Sequence, residues 1–347
     1  MAGPVTVLLP THKRPQMLGQ ALESIALQSR KDLIHEVVIS ESAATDESRS
    51  VARSFSEKLP IRYLKQSGNL TAQANGIRLS LEAKTEYVAL LADDDMWSRY
   101  HLEEAFRCFA ENPTIHAYFG QAVAVANECC MPYEQFSGSF LQVPKSDERT
   151  LRDFEFWGCT ETAVNCLANT PLNIWSAVVL AESHRRAINS SAGDPVFGQY
   201  PSNDRLYLWR LGMFGSIGIG RQLSIFYRRH QDSDVQTHLR KDIERTFAED
   251  SLISQEIIRQ AKLMGIDPIA EWRKYYELAK FHGLADRIQM TPQLKRLLLP
   301  EADNQNSVDP SNPTEVFKAR VHSQIKRTLY LFTPPVVQVL RNKLQGP

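Results

Sequence analysis

The chain has 347 residues, 40 Lys+Arg against 40 Asp+Glu, a formal net charge of +0 and a pI of about 7.1. No basic excess is available to neutralise phosphates, which argues against nucleic acid as a partner. The five cysteines (Cys108, Cys129, Cys130, Cys159 and Cys166) are odd in number and contain no C-x-x-C pair, against a disulfide framework or zinc site and for a reducing compartment.

No apolar run approaches the roughly 20 residues that a membrane span needs. The start, Met1-Ala2-Gly3-Pro4-Val5, lacks a basic segment and a secretory apolar stretch. The expected place is therefore the cytoplasm, with contact at the inner membrane face left open.

In chain order, Val5–Leu9 is a short apolar run closed by Pro10, and predicts a first strand. Pro10 to Pro15 is a polar loop bounded by two prolines. Met17, Leu18, Ala21, Leu22, Ile25 and Ala26 recur at helical spacing. Glu36–Ser40 predicts a second strand, and the turn Glu41–Asp46 offers caps for a helix from about Glu47 to Leu59. Ile61–Leu64 follows as a third strand, then a helix over Ala72–Ala83 with Ile77 and Leu81 turned inward. Strand and helix alternate over this first part, which predicts a mostly parallel sheet flanked by helices. Neither a G-x-x-x-x-G-K-[ST] loop nor a G-x-G-x-x-G fingerprint is present.

The fourth strand, Tyr87–Leu91, runs through Ala92 into Asp93-Asp94-Asp95. Three adjacent carboxylates repel one another unless a cation or solvent compensates them. At the carboxyl end of a parallel strand they suit Mg²⁺ or Mn²⁺, which in turn hold diphosphates. They equally suit a solvated turn capping the next helix, and the triplet by itself leaves both readings open.

Further along, Ile115–Phe119 predicts another strand, residues 127–170 read as irregular, and Ile174–Leu180 regains strand character before a short basic helix over Glu182–Ile188. Pro201-Ser202-Asn203-Asp204 opens a helix carrying Leu206, Leu208 and Trp209, where Asp204 is either a cap or a functional acid. Beyond it Leu239, Ile243, Phe247, Ile253, Ile257, Ala261 and Met264, then Ile269, Trp272, Tyr276 and Ala279, trace amphipathic helices. Residues 301–313 read as a linker. The tail beyond Thr314 interleaves basic residues such as Lys318, Arg320 and Lys326 with Phe317, Val321 and Leu329. Such a tail suits an anionic membrane surface, or packing against the domain or a second subunit.

The ordered set Pro-Thr-x-x-Arg-Pro, acid-Ser-x-x-Thr-Asp and Asp-Asp-Asp-x-Trp resembles the family 2 glycosyltransferases of the GT-A fold, over roughly residues 4–232. The resemblance implies an α/β, Rossmann-like, mostly parallel sheet and transfer of a sugar from a nucleotide-diphospho-sugar to an acceptor hydroxyl, with inversion. It assigns Pro10, Thr11, Arg14, Glu41, Asn75, Asp93 and Arg228 to the donor, and Asp94, Asp95 and His230 to a Mn²⁺ or Mg²⁺ ion. Asp204 becomes the catalytic base. Glu41 stands where the family usually has Asp, Ala74 where it has Arg, and Asn203 where many members have Glu.

The implied domains are 1–232 for the transferase (1–126 the nucleotide-sugar half, 127–232 the acceptor half), 233–300 a helical extension, and 301–347 linker and basic tail. The implied partners are a UDP-sugar donor and a glycan or lipid-linked glycan acceptor, with membrane-surface contact or homo-oligomer formation through the tail. A non-catalytic nucleotide-sugar module and a sugar-phosphate nucleotidyltransferase stand as alternatives. The latter is disfavoured because Leu9-Pro10-Thr11-His12-Lys13 is not a Gly-rich phosphate loop.

Overall fold

In the computed structural model the described residues are 3–42, 46–66, 72–126, 129–132, 153–168, 172–188, 204–230, 243–281 and 292–299. They build strands β1 (Val5–Thr11), β2 (Ile34–Glu41), β3 (Ile61–Lys65), β4 (Tyr87–Leu90), β5 (Met96–Trp97), β6 (Ile115–Ala126), β7 (Cys129–Pro132), β8 (Phe154–Trp157), β9 (Ala177–Leu180) and β10 (Ser216–Arg228). The helices are α1 (Pro15–Ala26), α2 (Glu47–Ser54), α3 (Ala72–Ser80), α4 (His101–Glu111), α5 (Cys159–Ala168), α6 (Ala181–Ile188), α7 (Asp204–Phe214), α8 (Ile243–Leu263) and α9 (Pro268–Phe281).

The strands form one sheet in the order β3-β2-β1-β4-β9-β6-β10-β5, with β7 beside β6 and β8 beside β10. The strands β3, β2, β1, β4, β6 and β10 run one way, and β5, β7, β8 and β9 run against them. This is the expected mostly parallel α/β sheet. Val5, Val7 and Leu9 of β1 share a core cluster with Leu18, Ala21, Leu22 and Ile25 of α1, as the helical spacing predicts. Thr6 and Leu8 point to the other face and are buried too, so β1 is covered on both sides.

Several expectations are corrected. β1 continues through Pro10 to Thr11, because β4 pairs with β1 only as far as Leu8. At Pro10 only β2 lies alongside, and the missing N–H breaks no ladder on the open side. Helix α2 stops at Ser54 instead of Leu59. The carboxylate of Asp46 makes no cap bond and instead meets Lys65 Nζ at 2.8 Å. In α3 the buried residues are Asn75, Leu79 and Ser80, Ile77 is half-buried, and Leu81, beyond the helix end, is 58% exposed. The stretch 127–170 contains β7, β8 and α5. Residues 174–176 form a 3₁₀ turn, so the strand there is only Ala177–Leu180. Met264 is exposed, one residue past α8.

One compact unit spans Met1–Leu294, and a second spans Lys295–Pro347. Helices α8 and α9 thus belong to the same unit as the sheet. The Trp209 indole N–H donates to Gln260 Oε1 at 2.9 Å, tying α7 to α8. In the second unit, residues 295–299 are described, mostly as the end of a helix over Pro292–Leu298. Leu239, the 301–313 linker and the basic tail lie outside the described residues. Among the described residues no helix is long and apolar enough to cross a membrane.

Candidate active site

Strand order reverses between β1 and β4: β2 and β3 continue to one side, and the next strand of the chain lies on the other. Ligands of open α/β sheets bind at such a switch point, beyond the carboxyl ends of the strands. The acid triplet follows β4 directly into this crevice. Helix α4 begins six residues after Asp95, with Glu103 and Glu104 in its first turn. The triplet is therefore not a cap for that helix.

Each acid is held differently. Asp93 is 3% exposed and accepts from Thr11 Oγ1 at 2.8 Å, from the His12 backbone N–H at 3.2 Å and from Arg14 Nη1 at 3.1 Å. Burial and the neighbouring Asp94 push its carboxyl up to about 6 despite Arg14 and Thr11. Asp94 accepts from Arg14 Nη1 at 2.9 Å and lies 3.0 Å from His230 Nε2 through the same oxygen. Burial opposes its ionisation, but the His230 hydrogen bond and the Arg14 charge outweigh that, so it sits below the usual carboxylate range. Asp95 is 1% exposed and accepts the Arg228 backbone N–H at 2.9 Å. Burial, reinforced by Asp94, raises it well above the ordinary value.

The loop after β1 reaches two of these acids because Lys13 adopts φ +55°, uncommon for a residue with a side chain. That turn aims the His12 N–H and the Arg14 guanidinium at Asp93 together. His12 Nδ1 lies 2.9 Å from Ser42 Oγ, and the Ser42 N–H donates to the Thr11 carbonyl at 3.1 Å, closing β1 onto β2.

Glu41, fully buried at the end of β2, stands opposite Thr11 in register. Asn75 is also buried: its Nδ2 donates to the Ser40 carbonyl at 2.8 Å and its Oδ1 accepts from Ser40 Oγ. It therefore fastens α3 to β2 one residue before Glu41. Pro10 pairs in register with Ser40 inside the sheet.

Asp204 is the first residue of α7, and burial pushes its carboxyl up to about 6. Tyr227 of β10 lies within the electrostatic reach of both Asp204 and the triplet. Burial chiefly raises the phenol to about 12, and the charges of Asp95, Asp94 and Asp204 add to this while Arg229 opposes it. The charges of two triplet carboxylates and of the α7 acid thus all act on one tyrosine, although more than a hundred residues separate Asp95 from Asp204.

Thr11, Arg14, Asp93, Asp94 and His230 form one hydrogen-bonded cluster, and Asp95, next in the chain, is held separately by the backbone N–H of Arg228. Glu41 and Asn75 flank it on β2 and α3. Sequence reasoning missed His12 and Ser42 beside the cluster, and Tyr227 within reach of its charges. Tyr227 was legible, since it precedes Arg228 in the Tyr-Arg-x-His run. The His12 contact with Asp93 is made by the backbone and leaves no signal in residue type.

Carboxylate oxygens with one imidazole suit a hard or borderline divalent cation. Asp95 Oδ2 and His230 Nδ1 are buried without a hydrogen-bond partner. Among the described residues no three acidic, His or Cys side chains converge into a ready cage. Mg²⁺ is ordinarily held by one or two carboxylates plus substrate phosphates, so this donor set fits such an ion.

Residues 6–147 match the family described as Glycosyl transferase family 2. An uncharacterized glycosyltransferase of Mycoplasma pneumoniae is 29% identical over 127 residues, 36% of this chain and 39% of that protein. The poly(ribitol-phosphate) beta-N-acetylglucosaminyltransferase TarP of Staphylococcus aureus is 29% identical over 112 residues, 31% of this chain and 33% of that one. The chain thus spans well under half the length of these relatives.

Among solved structures, S. aureus TarS 1-349 in complex with UDP-GlcNAc superposes with a TM-score of 0.57 at 14% identity, covering 87% of this chain and 77% of that one. The mannosyltransferase PcManGT from Pyrobaculum calidifontis, in complex with GDP-Man and Mn2+, gives 0.52 at 15% identity, covering 94% and 81%. These likenesses show a shared fold.

Proposed function

We propose, on the premise that residues 6–147 are a family 2 glycosyltransferase segment within a GT-A-type fold, that the chain transfers a sugar from a nucleotide-diphospho-sugar to an acceptor hydroxyl. The observation that carries this reading is the hydrogen-bonded cluster of Asp93, Asp94, Arg14 and His230 at the switch point.

The reaction forms a bond between the acceptor oxygen and the anomeric carbon and breaks the bond from that carbon to the diphosphate. Asp204 takes the acceptor proton, a task suited to a carboxylate whose pKa lies near the working pH. One base opposite the leaving group gives inversion, as in one-step glycoside hydrolysis with water as nucleophile. Arg14 and Arg228 orient the departing diphosphate, and Glu41 reads the base. Asp94, with His230 and Asp95, would hold Mn²⁺ or Mg²⁺, which supplies Lewis-acid neutralisation of the leaving group. The mannosyltransferase of the same fold, in complex with GDP-Man and Mn2+, supports this choice.

The donor is a UDP-sugar and the acceptor a glycan or lipid-linked glycan, the former in keeping with the TarS complex with UDP-GlcNAc. The segment beyond Thr314 serves at an anionic membrane surface or between subunits. Cosedimentation with anionic liposomes at low salt, with and without residues 314–347, separates these two roles.

A thermal-shift screen of nucleotide-sugars with Mn²⁺ tests the reading, because a ligand of the native state raises its apparent stability by mass action. A stabilising donor should then release its nucleoside diphosphate when acceptors are supplied. Binding without release under any acceptor would instead favour a non-catalytic module, and no stabilisation by any nucleotide-sugar would refute the proposal.

A further inference from the structure

His184 lies on α6, outside the acid cluster, and is 2% exposed. Both ring nitrogens are engaged: Nδ1 lies 2.7 Å from the Tyr207 hydroxyl and Nε2 lies 2.9 Å from Ser80 Oγ. Tyr207 sits three residues after Asp204 on α7, and Ser80 closes α3, the helix that carries Asn75. The Ser80 hydroxyl donates to the Gly76 carbonyl at 2.8 Å.

That last bond fixes the direction of the others. A hydroxyl has one hydrogen, and Ser80 spends its hydrogen on Gly76, so toward His184 it accepts. The ring therefore carries its proton on Nε2, and its bare Nδ1 accepts from Tyr207. The chain runs Tyr207 to His184 to Ser80 to Gly76 with every donor matched to an acceptor. Burial holds the imidazole neutral, with its pKa lowered to about 3. At its far end, α3 is bolted to β2 by Asn75 beside Glu41.

We infer that His184 is a positioning residue: through Tyr207 and Ser80 it fixes the first turn of α7, with Asp204, against the α3–β2 edge that borders the donor. The inference rests on the transferase reading above. A displacement of about 1 Å at a reacting group can cost on the order of 10²-fold in rate, so the bridge acts on turnover and leaves donor binding to the acid cluster.

The test uses Tyr207→Phe, which removes the hydroxyl and keeps the ring, His184→Leu, and His184→Gln, whose amide can accept at one end and donate at the other. Tyr207→Phe and His184→Leu should lower kcat by roughly 10-fold or more, with Kd for the nucleoside diphosphate and Mn²⁺ within about 2-fold of the parent. His184→Gln should recover most of the loss. Unchanged kcat per folded molecule, or equal losses in kcat and affinity, would overturn the inference.

Two readouts need no turnover, and the first, on the unsubstituted protein, keeps the inference testable even if the variants fold poorly. ¹⁵N-histidine spectra of the unsubstituted protein should show His184 as the neutral Nε2–H tautomer, and an Nδ1–H tautomer would overturn the chain. Amide exchange in Tyr207→Phe should quicken in residues 72–80 as well as in α7, and a change confined to α6 and α7 would remove the coupling. Absence of any nucleotide-sugar binding with both of these results intact counts against the transferase reading and leaves the bridge standing.

Discussion

On the sheet side of the molecule, Asp93 and Asp95 are buried and Asp94 half-buried, and Arg14 and His230 bind Asp93 and Asp94 between them. On the helical side, the helix that carries Asp204 is tied to its neighbours through hydrogen bonds to carbonyls, a hydroxyl and an imidazole. The Arg205 guanidinium donates to the Cys166 and Leu167 carbonyls at 2.7 and 3.0 Å and to Ser254 Oγ at 2.7 Å. His184 bridges Tyr207 and Ser80. On the function proposed above, the difference follows from what each side handles. A charged cluster can exchange partners with an incoming cation or diphosphate, so it responds to ligands. A hydrogen-bond network whose donors and acceptors are matched holds one geometry and responds to mutation.

The contrast is broken most sharply at Asp94. Asp94→Ala removes the shared partner of Arg14 and His230, and should cut turnover by roughly 10²–10³-fold, abolish stimulation by Mn²⁺ and weaken diphosphate binding. Steady-state kinetics with and without chelator check this. Full activity in chelator, unchanged by the substitution, would exclude the ion from the mechanism.

Asp204→Asn probes the other side. Turnover should fall by about 10²-fold or more while donor affinity holds, since a general base acts only as the proton moves. Its stability should change in the opposite sense. Asp204 titrates at about 6, above the ordinary value of 3.8, so the fold favours its protonated form. That contribution is complete below the unfolded value and is lost as pH rises through 6. The Asn variant escapes the loss and should gain on the order of 1 kcal/mol relative to the parent between pH 5 and 7, the group being partly solvated. Activity within a few-fold of the parent would make Asp204 a cap only.

Arg205→Met leaves two carbonyls near the end of α5 and one hydroxyl of α8 without this donor, at a cost of roughly 2–3 kcal/mol. Denaturant unfolding should show the loss, with donor Kd on the folded fraction unchanged. A loss of donor affinity equal to that of Asp94→Ala would erase the distinction between the two sides.

The smallest effect is expected at Thr11. Thr11→Val removes one hydrogen bond to Asp93, worth about 1 kcal/mol, and should weaken donor binding a few-fold with little change in kcat. Isothermal titration with nucleoside diphosphate reads this directly, and a kcat effect without an affinity effect would move Thr11 out of donor binding.

Much of the sheet side was legible in residue order. Apolar runs of strand length, each ending in Pro-Thr, Glu-Ser or Asp-Asp-Asp, mark parallel strands whose carboxyl ends meet in one crevice, because that topology leaves no other place for them. Where the reading slipped, local pattern was overridden by neighbours. Pro10 stays in β1 because β4 has already departed, and Leu81 lies outside the core because α3 ends one residue before it.

The sequence by itself determined the parallel sheet, the acid triplet at its edge and the candidate base at the head of a helix, since each depends on residues close together in the chain. Only the tertiary structure decided which acid is paired, which is pushed toward neutrality, and that the charges of Asp204, Asp94 and Asp95 all reach Tyr227. Those outcomes depend on burial and on partners 79 to 136 positions apart, and electrostatics acts through distance in space, which residue order does not encode.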